Sequence, residues 1–394
     1  MTAKFFLNNT IDKLNLKNKR VFLRVDLNVP IKNNKIMCDY KYTSVLPTIK
    51  LLLSKGAKII IATHIGRPEE KKISANVLLP LFAKYKTIFQ PDLDLAIERS
   101  KKDDYDVLLI ENLRFFKGEQ TESKAFAKKL AQLGDYFVND AFGVLHRKDT
   151  SVTILPKIFG KEKCFLGLLI EHELKRLNKL IKQPKRPYTF IIGGKKLHSK
   201  LPLIEKMIDK VDTILLCPAM SFTFAKQLGK QVGRSLVDDT LLSLIPTMLK
   251  KAKKRKVTIM LPMDYQVAKE RFEGPVSYIK TDDIPDNYVG VSIGNKTEKL
   301  FFEKIRQSKT VFFNGAFGNF DNPETLRGIQ TIFKAMSSTL LFSVIAGGDS
   351  VAYAYTLGIA KKIDHLSTGG GASLTYVSGE ELPGLNVFKT FDHP

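Results

Sequence analysis

Short apolar runs recur along this chain, each closing on polar or glycine residues and followed by a helical pattern. That alternation limits the fold more than any other feature. Val21-Phe22-Leu23-Arg24-Val25-Asp26-Leu27-Asn28-Val29-Pro30 opens it, and with period two Arg24, Asp26 and Asn28 share a face opposite Val25, Leu27 and Val29. The run 58–63 ends in His64-Ile65-Gly66-Arg67-Pro68, and 106–110 ends in Glu111-Asn112-Leu113-Arg114-Phe115. The run 136–138 leads into Asn139-Asp140-Ala141-Phe142-Gly143, with His146-Arg147 just beyond. Helical patterns such as 125–133 fill the gaps. Strands separated by helices predict an α/β fold with mainly parallel sheets, whose ligands bind outside the carboxyl ends of the strands.

Those strand ends carry Arg24, then His64 and Arg67, then Arg114, then His146 and Arg147. Brought to one edge they would repel one another unless an anion sits among them, so the expected ligand is small and multiply anionic. Asp26 and Asn28 suit its hydroxyl groups.

The second half repeats the grammar with glycine at the strand ends. After the apolar run 188–192 comes Gly193-Gly194-Lys195-Lys196-Leu197-His198-Ser199-Lys200, then a helical face of Leu201, Ile204 and Ile208. Paired glycines let the backbone approach a ligand closely. Cations at a helix start oppose the macrodipole, a penalty that a bound anion reverses. Further strand ends read Cys217-Pro218-Ala219-Met220, Pro262-Met263-Asp264, Asn314-Gly315, Ala346-Gly347-Gly348-Asp349-Ser350 and Ser367-Thr368-Gly369-Gly370-Gly371-Ala372-Ser373. Such turns suit nucleotide phosphates, and Asp349 suits a magnesium ion bridging to them.

A chain of 394 residues predicts about two domains. Lys and Arg number 63 against 40 Asp and Glu, a net charge of +23 that fits nucleic acid, an acidic membrane or phosphorylated small molecules. The cations are dispersed apart from the run 250–256, and no aromatic-plus-basic platform accompanies them, so no specific nucleic-acid partner is expected. No apolar run approaches a membrane span and no signal core precedes Arg20, so neither membrane nor secretion is expected. Cys38, Cys164 and Cys217 are unclustered, which points to a reducing, cytoplasmic setting without disulfides.

Taken together and in order, these strand-end strings resemble phosphoglycerate kinase over nearly the whole chain. The resemblance implies two Rossmann-like, three-layer α/β/α domains facing across a hinged cleft. Residues 1–164, with a tail 375–394 returning to them, would bind 3-phosphoglycerate. Residues 165–184 would form the interdomain helix and linker, and 185–374 would bind Mg-nucleotide. Arg24, Asp26, Asn28, Lys41, His64, Arg67, Arg114, His146 and Arg147 would hold the substrate. Gly194, Lys196, Lys200, Asn314, Gly315, Asp321, Gly347, Gly348, Asp349 and Ser350 would hold the nucleotide, with Asp349 on Mg2+. Lys196, Lys41 and the amides of Gly370 and Gly371 would serve the transfer itself. The implied partners are 3-phosphoglycerate or 1,3-bisphosphoglycerate and ATP or ADP, acted on by a monomer.

The chain departs from the family pattern at Lys41 (for arginine), Asp149 (for histidine), Cys217-Pro218-Ala219 (for three glycines), Ala346 (for glycine), and around Lys195, Ser199, Ser292 and Asn295. Beside an active kinase these leave a second reading, a homologue that keeps the fold as a binding or scaffold protein. Lys41 and Asp149 favour the second; retained Lys196, Asp349, Asn314 and Arg114 favour the first.

Overall fold

The computed structural model describes residues 11–194, 196–269, 274–338 and 340–391; Lys195 of the glycine-rich loop lies outside them. The chain divides into two compact units, Met1–Asn178 with Glu380–Pro394, and Lys179–Gly379.

The first unit is built on β1 (Arg20–Val25), β2 (Lys58–Ala62), β3 (Thr87–Gln90), β4 (Val107–Ile110), β5 (Tyr136–Asp140) and β6 (Cys164–Leu166). They form one sheet in the order β3-β4-β2-β1-β5-β6, with every pairing parallel. Its strands are apolar on both faces because both are covered. Leu23 and Ile61 pack under Val45, Ile49 and Leu52 of the helix Tyr40–Ser54. On the other face Phe22 stacks on Phe137, which meets Phe159. The strand order reverses at β1, so β1 is flanked by the two arms of the sheet. The helix expected from Phe165 starts later: Phe165 belongs to β6, and the helix runs Leu168–Ile181. It carries the chain out of this unit. Helix Pro383–Thr390 belongs to the first unit again, where the Gly384 amide donates to Leu145 O at 2.9 Å.

The second unit repeats the plan with β7 (Tyr188–Ile192), β8 (Thr213–Leu216), β9 (Thr258–Met260), β13 (Thr310–Asn314), β14 (Phe342–Ala346) and β15 (His365–Ser367) in the parallel order β9-β8-β7-β13-β14-β15. Here the reversal falls at β7. Three short strands missing from the sequence reading, β10 (Tyr265–Ala268), β11 (Val276–Ile279) and β12 (Val289–Ile293), make a separate antiparallel sheet. It packs with Phe222 and Ile284 as a satellite core. No helix among the described residues is long and apolar enough to cross a membrane.

Candidate functional site

In the first unit the polar residues gather at the carboxyl ends of β1, β2, β4 and β5. β1 stops at Val25, where its partners β2 and β5 end at Ala62 and Asp140, so residues 26–30 leave the sheet instead of continuing its alternation. Side chains take over there. Leu27 N–H donates to Thr63 Oγ1 at 2.9 Å, and the Gly66 amide donates to Asn28 Oδ1 at 2.9 Å. Asn112, fully buried, donates to the carbonyls of Ile65 (2.8 Å) and Ile73 (2.9 Å) and accepts from the Arg114 amide (3.1 Å). It ties the loop after β2 to the loop after β4. Neither Thr63 nor Asn112 stood out by residue type, since only the fold shows which loops they join.

Asp26 is buried and accepts Lys41 Nζ at 2.6 Å and the Asn28 amide at 3.1 Å. Burial alone would raise its carboxyl, but Lys41 and His64 outweigh that and hold it well below the usual range. His64 is buried, and burial, opposed by Asp26 and reinforced by Arg24, Lys41 and Arg147, pushes it down to about 3. It is therefore neutral at ordinary pH, able to bond a hydroxyl without adding charge. Burial likewise lowers His146, against Asp149 and Asp26. His64 Nδ1, His146 Nδ1, Arg114 Nε and Asp149 Oδ2 are buried polar atoms with no protein partner.

The arginines do not behave alike. Arg24 is fully buried: Nε donates to Ser151 Oγ (2.8 Å), Nη1 to Val25 O (2.5 Å), and Nη2 lies 3.8 Å from Glu119. Arg67 is exposed and paired with Glu70 at 2.7 Å. Arg114 reaches Gly66 O at 2.5 Å, and Arg147 is half-buried near His64. Glu119, Asp26 and Glu70 thus relieve part of the expected repulsion. Arg114 and Arg147 remain to face an anion.

Two buried carboxyls nearby are shifted the other way. Glu119 is pushed up to about 7, by burial first and against Arg24 and Ser151, and Asp140 to about 7, by burial against Thr48 and the Ile170 amide. A carboxyl that binds its proton more tightly when folded gives stability that falls as pH rises from about 4 to about 7. His64 and His146, lowered in the folded state, pull oppositely. The test is therefore a difference. Urea unfolding of Asp140→Asn should show a pH slope more positive than that of the unsubstituted chain, by up to about 1.4 kcal/mol per unit between pH 5 and 7. Parallel slopes would overturn the assignment.

In the second unit four strand ends meet. The Gly193 amide donates to Asn314 O at 3.0 Å, and Asn314 Nδ2 donates to Gly370 O at 2.8 Å. Gly315 has φ +93°, and a Cβ there would lie 2.4 Å from Gly193 O and 2.7 Å from Lys200 Nζ. Only glycine allows this approach. Lys200 folds back to donate to Gly193 O at 2.6 Å. Burial, against Cys217 and with Lys196, pushes its ammonium down to about 8. Lys196 is exposed and precedes helix Leu197–Met207, whose buried face is Leu197, Leu201, Ile204 and Met207. Gly347 lies against Gly370, and the helices Gly348–Thr356 and Gly370–Ser378 begin here, presenting free N–H groups. Asp349 is exposed in the first turn of its helix, with Ser350 buried behind it and its Oγ unpartnered. Gly194, Gly348 and Gly371 lie in these same turns. Asp321 sits on the exposed loop after β13, its amide bonded to Asn319 Oδ1 at 3.1 Å.

Each unit thus presents polar or glycine-rich loops where its strand order reverses, one set cationic and one rich in backbone donors. The family model for phosphoglycerate kinase matches residues 11–380. Phosphoglycerate kinase of Finegoldia magna is 39% identical over 389 residues, covering 96% of this chain and 98% of its own. That of Bdellovibrio bacteriovorus is 37% identical over 392 residues, covering 97% of each. The solved phosphoglycerate kinase of Pyrococcus horikoshii superposes with TM-score 0.82 at 29% identity, covering 98% of this chain and 99% of that one. The Coxiella burnetii structure does so with TM-score 0.76 at 30% identity, covering 96% and 98%. The chain belongs to the phosphoglycerate kinase family.

Proposed function

We propose that this chain transfers a phosphoryl group reversibly between 1,3-bisphosphoglycerate and ADP, giving 3-phosphoglycerate and ATP. The observation that carries the reading is the pairing of a cationic strand-end site in one unit with a glycine-turn site in the other, on a chain of this family. The first unit would bind the glycerate: Arg114 and Arg147 its charged ends, Asp26, Asn28 and neutral His64 its hydroxyl region. Arg24 would act from behind, holding Ser151 and the end of β1. The second unit would take the nucleotide phosphates on Lys196, Lys200 and the turns of Gly194, Gly315, Gly347 and Gly370.

Both acceptor oxygens, a phosphate and a carboxylate, are anionic near neutral pH, so the reaction needs no general base. Catalysis is then positioning and neutralisation of spread charge. Among the described residues no group of three or more His, Cys, Asp or Glu could hold a metal unaided. A Mg2+ ion would arrive on the nucleotide, with Asp349 as its protein carboxylate, and would neutralise phosphate charge. Few, unpaired cysteines support a cytoplasmic enzyme, and we read it as a monomer.

A coupled assay with 3-phosphoglycerate and Mg-ATP tests the reading; no turnover, with either ligand still bound, would favour a scaffold role. Lys41→Arg should lower KM for 3-phosphoglycerate by about three- to tenfold, because a guanidinium can hold Asp26 and a ligand oxygen together where an ammonium is spent on Asp26. An unchanged KM would remove Lys41 from the site. ATP affinity should weaken above about pH 8, approaching tenfold per unit as Lys200 loses its proton, and Lys200→Arg should flatten that decline. Titration calorimetry across pH 7 to 9.5 would show it.

A further inference from the structure

The helix that carries the chain out of the first unit, Leu168–Ile181, is capped by residues far away in sequence. Its first-turn N–H groups need acceptors, and the preceding residue, Gly167, has no side chain to offer one. Thr48 Oγ1 accepts from the Leu168 amide at 3.0 Å, and Asp140 Oδ1 accepts from the Ile170 amide at 3.1 Å. Thr48 in turn donates its hydroxyl proton to Asp140 Oδ2 at 2.6 Å. Thr48 and Asp140 are both fully buried. The space is exclusive: a Cβ on Gly167 would lie 2.2 Å from Asp140 Cγ. Asp140 therefore occupies the place where an ordinary capping side chain would stand.

Both capping residues lie on elements that also carry the anion site. Thr48 is on the helix Tyr40–Ser54, whose start bears Lys41, ion-paired with Asp26. Asp140 ends β5, whose following loop bears His146 and Arg147. A ligand seated on Asp26, the partner of Lys41, and on Arg147 would thus bear on the two elements that grip the departing helix.

We propose that Thr48 and Asp140 are positioning residues for phosphoryl transfer, passing occupancy of the anion site to the first turn of the connecting helix. The proposal rests on the kinase reading and deepens it. It predicts that Thr48→Val, which keeps shape and removes the hydroxyl, lowers kcat about tenfold or more while KM and the binary affinity for 3-phosphoglycerate change by no more than about twofold. Thr48→Ser should restore kcat. Equal losses in the Val and Ser variants, or a Val variant with unchanged kcat, would overturn it.

A second readout separates this proposal from the kinase reading. Amide exchange at residues 168–170 should slow when 3-phosphoglycerate or inorganic phosphate is added to the unsubstituted chain, and not in Thr48→Val. Exchange indifferent to both anions would sink the coupling even in an active enzyme. Absence of turnover with the exchange response intact would sink the kinase reading alone. Should Thr48→Val fail to fold, the response in Thr48→Ser and the unsubstituted chain decides by itself.

Discussion

Lys196→Ala is expected to lower turnover by on the order of 100- to 1000-fold, with binding of 3-phosphoglycerate to the first unit unchanged. The ground is a difference between two lysines one helical turn apart. Lys200 is half-buried and already donates to Gly193 O, which ties it to the turn it shapes. Lys196 is exposed at the start of helix Leu197–Met207, where the free N–H groups and the ammonium would address the same anion. Such a cation follows charge as it moves from one oxygen to another, and its loss falls on the transition state more than on bound ATP. Steady-state kinetics with titration calorimetry would separate the two. A variant whose KM for ATP rises while kcat holds would make Lys196 a ground-state ligand only.

The second large effect concerns stability and depends on which half of a buried pair is removed. Glu119→Ala is expected to cost about 3–5 kcal/mol, because it leaves the Arg24 guanidinium enclosed without a counter-charge. Arg24→Met should cost less. Glu119 then keeps its bonds from Ser151 Oγ (2.6 Å) and the Ser151 amide (3.1 Å), and its carboxyl, already pushed up to about 7, can take a proton and become neutral. A guanidinium has no such escape. Denaturant unfolding at pH 7 gives both numbers, and the reverse order would contradict the buried-pair account.

Much of this was legible in the residues because the parallel sheets write themselves as apolar runs. The run at 188–192 coincides with β7, and each glycine-rich or arginine-bearing string does fall at a carboxyl end. What stayed hidden has physical causes. β3 reads Thr-Ile-Phe-Gln and is half-buried throughout, too short and mixed to show a period. β11 pairs within a satellite sheet whose outer residues are exposed, so its pattern resembles a loop. Phe165 looked like the first residue of an amphipathic helix, whereas the sheet edge claims it for β6. At the anion site, residue type alone placed Arg24 among the ligands. Its burial against Glu119 depends on a residue 95 positions later (119 − 24), which no local pattern reveals. Asn112 and Thr63 stand at the ends of apolar runs, but their bracing of loops is a tertiary fact.

The helix Pro383–Thr390 has a consequence for how the chain is made. It packs where a Cβ on Gly384 would strike Leu145 and Val152 at 2.7 Å, on the segment that carries His146 and Arg147. Synthesis therefore delivers all of the second unit before the first can be completed. A chain ending at residue 379 would hold the whole second unit and a first unit whose Leu145 and Val152 lack the helix that covers them. The first unit is thus completed last, on the ribosome's schedule and not on that of the sheet at its centre.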